Sequence, residues 1–143
     1  MKTIVVGLDA SSRSPGVLRS AFNLAQQFQA KLYVVRAVSL PPEIPAEALT
    51  ATPDALPARL LDITKRGLDG ALANVPSEWL AGSEARLGSP WQVLCDIAKE
   101  QSAELLVVGT HGFSGFDHIL GTTAAKVANH APCSVLVVRG ELT

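Results

Sequence analysis

Four short runs of β-branched and aliphatic residues, at 3–8, 31–38, 105–108 and 134–138, restrict the possible folds of this chain more than any other feature. Each run is apolar almost throughout, without the alternation expected of a strand that has one face in water. Strands of that kind belong to a parallel sheet covered on both faces. A weaker fifth strand is expected at 84–87. The intervals between the runs carry helical patterns. Ser14-Pro15 supplies an N-cap and a proline for the first helical position, and Val17, Leu18, Ala21, Phe22, Ala25 and Phe28 follow at helical spacing. Leu61, Thr64, Leu68, Leu72 and Val75 keep the same rhythm, although Gly67 and Gly70 weaken that helix by up to about 1 kcal/mol each. Ser89-Pro90 repeats the start signal ahead of Val93, Leu94, Ile97 and Ala98. A last helix is expected from about Thr122 to Ala131, stopping before Pro132.

Strand and helix therefore alternate, which predicts a single open, doubly wound, five-stranded parallel α/β sheet with helices on both faces, Rossmann-like in plan. Residues 39–58 interrupt the alternation and hold five of the nine prolines. They read as a long surface loop within one domain spanning residues 1–143, because the alternation resumes after them. With 48% hydrophobic residues the chain can bury a real core, yet its apolar runs are far short of the roughly 20 residues that cross a bilayer. Lys2 and Thr3 lead straight into the first strand, leaving no room for a signal peptide, so a cytoplasmic address is expected. Twelve basic residues against 13 acidic ones give a net charge of −1, which argues against nucleic acid or an anionic membrane as the main partner. Cys95 and Cys133 have no C-x-x-C spacing; they read as buried free thiols, with a disulfide as the alternative.

In open sheets of this kind, ligands sit beyond the carboxyl ends of the strands where the strand order reverses. That rule selects the segments after Leu8, Val38 and Val108. The third is the richest: Gly109-Thr110-His111-Gly112, then Phe113 to Leu120, then Gly121-Thr122-Thr123 opening the last helix. Glycines let consecutive N–H groups converge on an anion. The threonine hydroxyls would join the free amides of a helix N-terminus, where negative charge is favoured. A phosphate-bearing ligand suits this arrangement; an ordinary strand-exit turn with Thr122 as a plain N-cap is the other reading.

Gly109-Thr110-His111-Gly112, Gly121-Thr122-Thr123 and the closing His130-Ala131-Pro132-Cys133-Ser134-Val135-Leu136-Val137-Val138 together resemble the universal stress protein family. Its ATP-binding members carry G-x2-G-x9-G-[ST]. The resemblance extends to the first strand with its terminal Asp9, to the second strand, and to Gly88-Ser89-Pro90 before the third helix. It implies the adenine nucleotide alpha hydrolase-like form of the fold, with ATP, possible Mg2+ and a site built from Gly7, Asp9, Ala37, Val38, Val108, Gly109, His111, Gly112, Gly121, Thr122 and Thr123. Asp9 corresponds to the acid at the ribose and adenine end; its alternative is to cap the turn Ala10-Ser11-Ser12. Ala37 or Val38 would offer backbone groups to adenine. The resemblance further implies a homodimer joined through antiparallel pairing of the last strand, from Val135 to Arg139. One departure stands out: eight residues separate Gly112 from Gly121, where the ATP-binding pattern has nine.

The remaining candidates point to less. Asp117 and His118 read as a solvated pair, with contact to a phosphate or its metal as the alternative; His130 reads as a cap of the last helix. Three separated histidines make no zinc site. G-x4-GK-[ST], G-x-G-x-x-G after the first strand and H-x-G-H are all absent, so no catalytic residue is assigned and any ATP hydrolysis should be slow. The expected function is a nucleotide-binding signalling module of the stress response. The alternatives are a family member that works through protein contacts without nucleotide, and a slow ATPase.

Overall fold

Three of the four apolar runs occupy the middle of the sheet; the fourth, at 134–138, is expected to be covered on both faces but forms an edge, with no fully buried residue. In the computed structural model, which describes residues 2–39, 56–110 and 121–139, β1 (Thr3–Gly7) is central. β2 (Lys31–Val38) and β3 (Leu80–Leu87) lie to one side of it, β4 (Leu105–Gly109) and β5 (Ser134–Val138) to the other. All neighbouring pairs are parallel, with Gly7 opposite Val35 and Val6 opposite Val107. Ile4, Val5 and Val6 are fully buried, whereas the edge strand β3, which carries Ser83, Glu84 and Arg86, has no fully buried residue.

Alternation along the strands divides the core in two. Ile4, Val6, Leu32, Val34 and Val107 pack against Val17, Ala21 and Ala25 of α1 (Ser14–Phe28) and Leu68 of α2 (Leu56–Ala71). Val5, Val35, Leu106 and Val108 pack against Val93, Leu94, Ile97 and Ala98 of α3 (Pro90–Glu100) and Ala124 and Val127 of α4 (Thr122–His130). The four-residue spacing of Val17, Ala21 and Ala25 puts them on one helix face. Each Val, Leu or Ile side chain buried in this way contributes on the order of 1.5–3 kcal/mol. The strand order reverses between β1 and β4, so helices cover both faces and a crevice opens at their carboxyl ends.

Three expectations are corrected. Residues 56–58 are not loop but the start of α2, with Pro57 in the first turn, where its missing N–H costs nothing; residues 40–55 lie outside the described residues. The strand expected at 84–87 is the second half of β3. Its first half looks unlike a strand because Gly82 makes room for a ring: a Cβ there would lie 2.8 Å from Cε2 of Tyr33. Finally, Arg13 and not Ser14 holds the N-cap position of α1, and Ser14 uses its hydroxyl to donate to the Asp9 carbonyl at 2.7 Å. Ser89 does stand at the N-cap of α3, preceded by Gly88 at φ 143°, where a Cβ would strain the backbone and approach Cγ2 of Val93 to 2.9 Å. Cys95 and Cys133 are both free and half-buried, and desolvation holds both thiols above their ordinary pKa.

Candidate ligand-binding site

At the reversal point, the carboxyl ends of β1, β2 and β4 and the starts of α3 and α4 enclose a cavity of about 420 Å³. Its two ends differ in chemistry. Gly7, Val35, Ala37 and Val108 form a floor on the sheet, faced by Pro90 and Leu94 of α3. This end is apolar. The other end carries Asp9, Ser11, Thr122 and Thr123. No acidic residue stands in the first turn of α3 or α4, and neither N-cap residue, Ser89 or Gly121, makes a side-chain capping bond. The positive dipole end of α4 borders the cavity through Thr122 and Thr123, an arrangement that favours an anion.

The loop after β1 is fixed from below. Arg36 donates from Nε to the Leu8 carbonyl at 3.1 Å and from Nη2 to the Asp9 carbonyl at 3.2 Å. The Asp9 Oδ1 accepts the Ser11 N–H at 2.9 Å. Asp9 thus caps its turn and lines the cavity at once; a carboxylate has a second oxygen to offer a ligand. Arg36 lies on the α1/α2 side of the sheet, next to Gly67 of α2, where an added Cβ would sit 3.4 Å from Nη1. On the other flank, the Gly121 N–H donates to the Thr110 carbonyl at 3.3 Å and the Thr110 N–H to the Val138 carbonyl at 3.0 Å, which places the start of α4 beside β4 and β5.

Of the residues singled out in the sequence, Gly7, Asp9, Ala37, Val108, Gly109, Thr122 and Thr123 line the cavity together. Val38 does not: one position further along the strand, alternation turns it to the opposite face, and its carbonyl accepts the Gly88 N–H at 2.9 Å. Gly121 is buried behind the wall as the N-cap of α4. His111, Gly112, Asp117 and His118 lie outside the described residues. His130 stacks on Trp91 of α3 with ring centroids 4.8 Å apart, so it joins the two helices that flank the cavity.

Sequence reasoning missed Val35, Pro90 and Leu94 as wall residues and Arg36 as the brace. A signal existed for three of the four. Pro90 and Leu94 are one helical turn apart, and Arg36 is the charged break in the apolar run of β2. Among the described residues, no group of three potential metal ligands occurs, and no helix is long and apolar enough to cross a membrane.

Comparison with known proteins agrees with this architecture. A sequence profile of the universal stress protein family matches residues 1–139. The chain belongs to that family. It is 31% identical over 139 residues to a universal stress protein of Methanocaldococcus jannaschii, covering 96% of this chain and 82% of the relative. Among solved structures, the family's UspA from Lactobacillus plantarum superposes with a TM-score of 0.72 at 28% identity, covering 96% of this chain and 97% of that one. A second, a universal stress protein solved in complex with cAMP, gives a TM-score of 0.63 at 29% identity and covers 98% of both chains. Both share the five-stranded α/β plan, and the second relative holds an adenine nucleotide.

Proposed function

We propose that this chain is an adenine-nucleotide-binding module of the stress response that holds ATP across the reversal point of its sheet. The observation that carries the reading is the two-ended cavity. Its apolar half, between the ends of β1 and β2 and the start of α3, suits a purine ring, with backbone groups at Ala37 in reach of its edge. The N-terminus of α4 with the hydroxyls of Thr122 and Thr123 suits phosphate, and Asp9, on the polar side of the cavity, suits ribose hydroxyls. His111, Gly112 and Gly121 complete the phosphate segment in this reading, and Mg2+ would accompany the triphosphate without a protein ligand of its own. The cAMP complex of a 29% identical relative supports the ligand class. We further infer a cytoplasmic homodimer joined through antiparallel pairing of β5 from Val135 to Arg139, which would cover the half-exposed Leu136 on an open sheet edge.

Mass spectrometry of small molecules released on denaturing freshly purified protein, followed by calorimetric titration with ATP–Mg2+ and cAMP, tests the reading. A copurifying adenine nucleotide, or saturable heat below millimolar ligand, is expected. If neither is found, the module works through protein contacts alone.

A further inference from the structure

We propose that Leu94 is the specificity-determining wall of the cavity: by seating its isobutyl group on Gly7 it fixes the depth of the apolar end, and with it the ring substituents the site admits. The inference rests on the adenine-nucleotide reading above and adds to it a residue that neither the sequence motifs nor the family resemblance singled out.

On the α3/α4 face of the sheet, Gly7 stands between Val35, its register partner on β2, and Val108 of β4. The missing side chain leaves a notch in a surface otherwise covered by Cβ atoms. Leu94 fills that notch from above. A Cβ built on Gly7 would lie 2.8 and 2.9 Å from the two Leu94 methyl carbons, closer than real contacts allow. Leu94 is only 5% exposed, yet it borders the cavity. Its helix is held in place by Val93, Ile97 and Ala98, which are buried against the sheet, so the isobutyl group has little freedom to retreat.

A flat heteroaromatic ring entering this end must fit between the sheet floor at Val35 and Ala37 and the helix wall at Pro90 and Leu94. Among the described residues, no charged side chain lines that half of the cavity. Discrimination between rings there falls to shape and to backbone groups, and a pocket of fixed shape distinguishes ligands by single methylenes, at about tenfold or more each. The three nearest heavy atoms to a Cβ at position 7 all belong to Leu94, so its size sets the limit. A methyl at position 7 would push it upward into the ring's space; shortening Leu94 would open the notch to a ring substituent.

The test is calorimetric titration of the intact chain with ATP and with ATP bearing a propyl group at N6, C2 or C8. Wild type is expected to favour ATP over all three. Leu94→Ala should shift the ratio of substituted to plain ATP affinity by about tenfold for at least one of them. Gly7→Ala should weaken ATP binding about tenfold. Gly7→Ala combined with Leu94→Ala should return most of it, because the methyl added at position 7 then occupies the space Leu94 has vacated. Thermal unfolding of each variant establishes that it is folded, and if Gly7→Ala does not fold, the Leu94→Ala series decides alone. Unchanged ratios for all three analogues in a folded Leu94→Ala would overturn the role of Leu94 while leaving nucleotide binding intact. Failure of wild type to bind ATP would overturn the nucleotide reading, and the gauge with it.

Discussion

The α3/α4 face of the sheet carries polar groups in two places, and they are arranged in opposite ways. Along the β2–β3 edge the groups satisfy one another. The Tyr33 hydroxyl donates to Glu84 at 2.7 Å, and Arg86 lies between Glu84 and Glu100, donating to both oxygens of each at 2.8–3.0 Å. Burial, and then the bond to Glu84, pushes the Tyr33 hydroxyl up to about 12; the Arg86 guanidinium holds the exposed Glu100 below the usual carboxylate range. At the crevice, the helix amides, the two threonines and Asp9 converge on a cavity instead. Every fully buried side-chain nitrogen or oxygen among the described residues has a partner, whereas Thr122, Thr123 and Asp9 border the cavity, where a ligand can reach them. The edge network spends its charges on holding β3 and α3 together. The crevice keeps its groups available, which is what a binding site requires.

Gly88→Ala strikes a residue that serves both regions, since Gly88 ties β3 to β2 and sets the entry to α3. Its φ of 143° and the 2.9 Å approach to Val93 predict a loss of about 2–3 kcal/mol in urea denaturation, together with weaker ligand binding as Pro90 shifts. Arg86→Met should separate the regions. It leaves Glu84 half-buried without its cation, costs about 1–2 kcal/mol of stability, and leaves nucleotide affinity within about twofold of wild type. The converse variant, Thr122→Val with Thr123→Val, should weaken nucleotide binding by about tenfold, or ~1.4 kcal/mol, without measurable loss of stability. Equal effects of the last two variants on binding would break the comparison.

The smallest effect concerns pH. The ordinary tyrosine value is 10.0 and that of folded Tyr33 is about 12, so the fold favours the protonated hydroxyl. The stability this contributes is present below pH 10 and is lost as pH rises toward 12. Urea denaturation across that range should show wild type losing more stability than Tyr33→Phe.

The sheet was legible because β1 and β4 are buried along their lengths and read as apolar runs, and β2 reads so apart from Lys31 and Arg36. The edge strand β3 was half missed, since residues 80–83 include a glycine placed for the Tyr33 ring and a serine that the Lys65 side chain reaches across from α2. The start of α2 was hidden by Pro57, a residue that signals loop in a sequence but fits a helix's first turn. At the site, Gly109, Thr122 and Thr123, which line the cavity, could be singled out in the sequence because their chemistry is local. Pro90, Leu94 and Arg36 were not, because they act through contacts between elements far apart in the chain. The choice between Ala37 and Val38 needed strand register: one residue along β2 moves a side chain from the cavity to the opposite face.

The central claim is that nucleotide binds at the crevice and nowhere on the edge network. Backbone amide shifts measured by nuclear magnetic resonance during titration with ATP–Mg2+ test this directly. The account predicts saturable changes at Asp9, Ala37, Gly109, Thr122 and Thr123, with Tyr33, Glu84 and Arg86 unmoved. Shifts centred on the edge network, or none at millimolar ATP, would contradict it.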